Sequence, residues 1–214
     1  MKRIILTGIL ALTLGVPSAS ESGNTEAAAA ELPPMRWDHM PNQERWNSAA
    51  LSALNTHGKP LIQTVPDDIA DWCPYYPQAD AEGRATFWVA FMSALAKHES
   101  TYRPTAVGGG GKWFGLLQIS PATARGYDCR AGSGDALKNG SANLSCAIRI
   151  MAVTVPRDGV IDDRDTRWRG VAADWGPLRS QKKRDDMRAW VSQQPFCAAP
   201  AKKPTFWERL LGKS

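Results

Sequence analysis

The chain is poor in metal-binding residues. Its 214 residues include three histidines and four cysteines. The cysteines (Cys73, Cys129, Cys146 and Cys197) form no CxxC pair and the histidines are scattered, which excludes a zinc site of the usual spacing. His98-Glu99 resembles the opening of a zinc-protease helix, but the second histidine is missing and Pro104 follows. The run GGGGK at 108–112 lacks the Ser or Thr that a phosphate-binding loop places on magnesium, and Trp113 stands there instead. The apolar run at 4–16 is too short to span a bilayer.

What is present at the N-terminus reads as an export signal. Met1-Lys2-Arg3 is a positive start, residues 4–16 are the apolar stretch, and Ser18-Ala19-Ser20 offers small residues for cleavage. Residues 1–20 are therefore expected to be removed, leaving an exported protein, periplasmic or secreted. No cysteine precedes Cys73, which argues against a lipid-modified N-terminus. An even cysteine count behind such a signal implies disulfides. Three pairings are open. We favour Cys129–Cys146, a loop closure worth about 3 kcal/mol in the chain-entropy model; Cys73–Cys197 would then tie the start of the domain to its end.

Residues 21–60 divide into a small, acidic, proline-punctuated linker and a helix-like segment with Trp46, Ala49, Ala50 and Ala53 at helical spacing. Residues 61–197 are long enough for one core. Residues 198–214 form a basic tail with a short amphipathic piece (Phe206, Trp207, Leu210, Leu211) that allows weak docking on a membrane or a protein. The net charge of +5 and a pI near 9.1 suit a polyanionic partner. Cell wall agrees with the export signal and nucleic acid does not. Nothing in the chain speaks to oligomeric state.

The organising stretch is residues 84–125. From Ala85 to Ala96 nearly every side chain is apolar, the mark of a helix buried on all sides. Asp80 suits its N-cap and Glu82 its first turn, while Pro104 ends it near residues 100–102. Glu99 then falls in the last turn, on the same face as Met92, Leu95 and Ala96. Apolar neighbours and the negative helix end both raise the pKa of such a carboxyl, as a general acid near neutral pH requires. On spacing alone, a surface glutamate at a fraying helix end is the better reading. Residues 108–111 are a loop that lets backbone approach a ligand. Residues 115–120 (GLLQIS) read as an extended segment carrying one amide, and Ser120-Pro121 starts a short helix that Gly126 ends. Residues 143–155 read as a second core helix, and 180–191 as a last one with Met187, Trp190 and Val191 inward.

Taken in order, Glu99-Ser100, the glycine loop, GLLQIS and Pro121-Ala122-Thr123-Ala124 resemble the signature of lytic transglycosylases with an SLT-type, lysozyme-like domain. The resemblance covers residues 81–191. It implies a mainly α fold with a buried central helix and a small extended or β segment. It also implies cleavage of the β-1,4 MurNAc–GlcNAc bond of peptidoglycan with a 1,6-anhydro product, and no cofactor or metal. Glu99 takes the catalytic role, and Ser100, Leu117 and Gln118 fall at substrate-contacting positions of the motif. Asn143-Leu144 fits the family's second helix. Asp174-Trp175 stand where relatives carry Tyr-Asn, the main departure; Trp175 is expected to stack on a sugar and Asp174 to lie in the site. Two alternatives remain. One is a hydrolytic lysozyme in which a second carboxylate, Asp174 or less favourably Asp128 or Asp135, activates water. The other is a non-catalytic wall-binding component of a secretion complex.

Overall fold

The computed structural model describes residues 32–199. The export signal at 1–20, most of the linker and all but the first two residues of the 198–214 tail lie outside the described residues. Two long helices dominate. One, α3 (Ala81–Ser100), follows α1 (Gln43–Leu54) and α2 (Lys59–Gln63); the other, α6 (Gly140–Asp158), follows the short α4 (Pro121–Gly126) and α5 (Gly134–Leu137). The last helix is α7 (Gln181–Ser192). Two small antiparallel ribbons complete the fold: β1 (Val107–Gly108) with β2 (Trp113–Phe114), and β3 (Asp162–Arg164) with β4 (Trp168–Gly170). The fold is thus mainly α with a small β component. Among the described residues no helix is long and apolar enough to cross a membrane.

Helix α3 is the core. Every residue from Ala85 to Ala96 is buried, because α1 and α2 cover one side and α7 another. Its start is capped by the Asp80 carboxylate, which accepts the Gly83 N–H at 2.8 Å. Tyr76, Phe87, Trp88, Phe91 and Trp72 pack edge-to-face around it, the arrangement that ring quadrupoles favour. Helix α6 runs beyond the expected 143–155. Asn139 caps it through the Ala142 N–H, and Pro156 lies in the last turn, where it leaves the Ala152 carbonyl without the helix N–H it would otherwise accept. Gly159, at φ +72°, ends it.

Covalent and ionic ties join the ends of the chain to this core. The disulfides are Cys73–Cys197 and Cys129–Cys146, closing sequence separations of 124 and 17 residues. In the chain-entropy model these are worth about 5 and about 3 kcal/mol. The Asp186 carboxylate on α7 gathers Arg36 (2.8 Å), Lys97 (3.0 Å) and His98 (2.7 Å). That cluster holds its carboxyl far below the usual carboxylate range. It also clamps the last turn of α3 from outside, one residue from Glu99. A second clamp is buried: Asp162 on β3 receives the Trp72 indole N–H at 3.0 Å and faces Arg184 and Arg188 at 3.1 and 2.8 Å.

Segment 115–120 is not extended, as its apolar letters suggested. Gly115 (φ +83°) and Gln118 (φ +46°) fold it into a tight turn, after which Phe114 and Ile119 exchange backbone hydrogen bonds at 3.0 Å. A Cβ at Gly115 would overlap the Leu137 carbonyl and Asn143, so both the positive φ and the close approach require glycine.

Candidate active site

The end of α3 delivers Glu99 to a cleft of about 300 Å³. Directly after Ser100 the chain reverses through Thr101 (φ 53°) and Tyr102 (φ 59°), two consecutive left-handed residues that are not glycine. Such conformations cost about 1–3 kcal/mol each, more so for β-branched Thr101, and persist where surrounding contacts enforce them. Here the Tyr102 N–H returns to the Ala96 carbonyl and the Tyr102 ring packs edge-on against His39. The reversal stops α3 one residue after Glu99.

The cleft walls are the glycine hairpin (Gly108, Gly109, Trp113), Gln118, and the segment of Asp174, Trp175, Gly176 and Arg179. Burial pushes the Glu99 carboxyl up to about 7, and the Lys183 ammonium on α7 draws it back only in part. A carboxyl poised there is half-protonated at neutral pH, able to give a proton and take one back. Asp174 is exposed to solvent but lies on the crowded cleft wall. Desolvation there raises its carboxyl above the usual value, against the pull of Arg157 and Arg179.

The other residues singled out from the sequence are placed less directly. Ser100 is buried, and its hydroxyl donates to the Ala96 carbonyl at 3.3 Å, so it does not reach the cleft. Leu117 is wholly buried and its side chain cannot meet substrate. Its backbone instead holds the turn together: its N–H donates to Asn143 Oδ1 and its carbonyl accepts the Trp175 indole N–H, both at 2.9 Å. Trp175 lines the cleft but is 3% exposed, which leaves no open ring face for the sugar stacking expected of it. Gln118 does reach the cleft. Its Nε2 is committed to the Ala106 and Gly115 carbonyls at 3.2 and 2.9 Å, while its Oε1 lies against Gly108, where any Cβ would overlap it. Only the oxygen remains for a ligand. Asp128 and Asp135 are not among the cleft residues.

Asn143 had been noted only as a fit to the second helix, yet it organises the site. Buried at the start of α6, it accepts from Leu117 N–H and donates to the Phe114 and Leu137 carbonyls at 2.9 and 3.1 Å. The available signal was an amide heading an apolar helix, since a buried polar group must be satisfied. Trp113 and Arg179 were also missed as lining residues. Trp113 was marked by its place directly after a glycine run; Arg179 carried no signal. A larger hollow of about 670 Å³ between α1 and α6 is lined by His57, Arg130 and Arg149 but by no carboxylate. It therefore lacks the acid that the smaller cleft supplies.

Residues 77–163 match the transglycosylase SLT domain family. No curated protein matches the chain. Among solved structures, the wild-type form 2 of DslA (Bd0314) aligns with a TM-score of 0.73 at 26% identity, covering 79% of this chain and 100% of that one. Two further DslA structures, each with a single Glu-to-Gln change, align with a TM-score of 0.72 at 27% identity, covering 79% and 78% of this chain and 100% and 98% of theirs. Glu99 sits inside the matched span, on the helix that the fold buries most completely. Residues 77–163 are thus a transglycosylase SLT domain on a lysozyme-like helical fold, the domain of a lysozyme-like glycosidase or transglycosylase enzyme.

Proposed function

We propose that the enzyme cleaves the β-1,4 bond between N-acetylmuramic acid and N-acetylglucosamine in peptidoglycan, leaving a 1,6-anhydro end, with Glu99 as acid and then base. The observation that carries this is a carboxyl held up to about 7 by burial at the base of the cleft. Protonated Glu99 gives its proton to the glycosidic oxygen as the bond from that oxygen to the muramic anomeric carbon breaks. The muramic N-acetyl oxygen bonds to that carbon and takes up its positive charge. Ionised Glu99 then removes the proton of the same sugar's 6-hydroxyl, whose oxygen attacks the anomeric carbon and displaces the acetamido oxygen. Glu99 ends protonated, and no water is consumed. Gln118 Oε1, facing the cleft, suits an acceptor for a sugar hydroxyl or amide. The wall polymer also agrees with the basic net charge and two disulfides, which suit a compartment outside the cytoplasm.

A second reading is hydrolysis, because Asp174 is the other carboxylate lining the cleft and is placed to activate a water as the general base of an inverting glycosidase does. Mass analysis of muropeptides released from purified sacculi separates the two. Anhydro-muramic ends are expected; reducing ends, each heavier by one water, would assign the reaction to hydrolysis instead.

A further inference from the structure

We infer that Trp113 is a sugar-stacking platform of the cleft, taking the apolar face of an N-acetylhexosamine ring of the glycan strand next to Glu99; this rests on the glycan-cleaving reading above. Of the tryptophans described here, Trp37, Trp46, Trp72, Trp88 and Trp175 are buried and Trp168 and Trp190 half-buried, while Trp113 is 47% exposed. A single exposed indole is ordinary in itself; what sets this one apart is that it lines the cleft that holds Glu99. The position is also built. Trp113 begins β2 and pairs with Gly108 of β1, which sets its backbone at the rim of the cleft. A Cβ at Gly109 would overlap Cε3 and Cζ3 of its ring, so the indole lies directly on bare backbone that only glycine provides, at φ +56°. The glycine run is thus the bed of a flat aromatic as well as a turn.

The placement selects the ligand. Trp113 borders the Glu99 cleft and also the smaller hollow beside it, lined by Ser120, Thr123 and Ile119; Gln118, Asp174 and Trp175 are common to both. A strand extending from Glu99 into that hollow must pass the indole. Pyranose rings joined by β-1,4 bonds present C–H faces that pack on an aromatic ring while their hydroxyls and acetamides reach outward. The polar groups around Trp113 (Gln118 Oε1 and the Ser120 and Thr123 hydroxyls) suit those outward groups. Sites of this kind combine an apolar plane with a few placed polar atoms.

The test uses the full chain carrying Glu99→Gln, which cannot turn substrate over, and the β-1,4 hexasaccharide of N-acetylglucosamine as probe. This parent should bind the hexasaccharide with a blue shift of indole emission. Adding Trp113→Ala should weaken binding about tenfold and remove the shift, the scale of one aromatic contact. Trp113→Tyr, which keeps a ring, should recover most of the affinity. In otherwise wild-type enzyme, Trp113→Ala should raise KM for sacculi more than it lowers kcat. The melting midpoint should barely move, because the side chain is half in solvent. Unchanged hexasaccharide affinity or unchanged KM overturns the platform, as does a Trp113→Ala loss explained by unfolding. If neither parent nor wild-type enzyme engages any glycan, the glycan-cleaving reading fails and the platform fails with it.

Discussion

Removing the charge of Glu99 should make the protein inactive and, above neutral pH, more stable. The folded state holds this carboxyl at about 7 against an ordinary value of 4.5, with burial as the leading cause. Between those values the unfolded chain binds fewer protons than the folded one, so stability falls as pH rises. Integrating the two titrations gives a penalty of about 0.2 kcal/mol at pH 4 and about 3 kcal/mol at pH 8. Glu99→Gln keeps the shape of the protonated acid and cannot ionise, so it escapes this penalty. Wild type and variant should therefore melt together at pH 4. At pH 8 the variant should melt higher by roughly 6–12 °C, since about 1 kcal/mol moves the midpoint by roughly 2–4 °C in a domain of this size. Thermal scans at both pH values, beside a sacculus-clearing assay, make the comparison. A constant gap between the two proteins across pH would refute burial as the source of the raised pKa. Retention of more than a few per cent of turnover would refute the catalytic assignment.

Lys183 is the cation that favours ionised Glu99, so Lys183→Ala should move the alkaline fall of activity from near pH 7 to higher pH, read from kcat/KM profiles; an unmoved limb would show that Lys183 is too solvated to matter. Asp174→Asn should cost less than about tenfold in kcat/KM if the 6-hydroxyl is the nucleophile, whereas loss of most activity would favour a water-activating base. Trp175→Phe should lower stability by about 1–3 kcal/mol in denaturant melts, because the Leu117 carbonyl loses its buried donor; an unchanged midpoint with lost sugar binding would restore a stacking role. Asp162→Ala should cost about 1–3 kcal/mol, because the Trp72 indole N–H and the two arginines lose a buried acceptor while Arg188 keeps Asp71 as a partner, and a near-neutral melt would show that the clamp relaxes to water.

Much of the frame was legible from local patterns. A run at 85–96 that is apolar except for Thr86 and Ser93 requires a helix covered on all sides, and α3 is buried over that span. Asp80 and Ser120 announce helix starts by their hydrogen-bonding reach, and both accept the expected backbone N–H. The turn at 115–120 was not legible in this way. Its letters alternate too little to show a period, and its shape depends on Asn143, 26 positions from Leu117, donating and accepting at once. Leu117 and Ser100 were assigned to substrate because they are positions of the motif. A motif records which residues occur together and is silent on which of them face inward.

The sequence by itself determined the buried helix, its end a few residues before Pro104, and a glutamate in the last turn among apolar neighbours, because these follow from spacing along one short stretch of chain. It also determined that the chain resembles lytic transglycosylases, because the motif elements are contiguous. Only the tertiary structure decided what each flanking side chain does. Trp175 became a cleft wall because Leu117 offers it a buried acceptor, and Trp113 became the exposed ring because Gly109 supports it and nothing covers it among the described residues. Lys183 came to bear on Glu99 because α7 packs along α3. Each of these relations joins residues distant in the chain or facing across a hairpin, and such contacts exist only once the helices have packed.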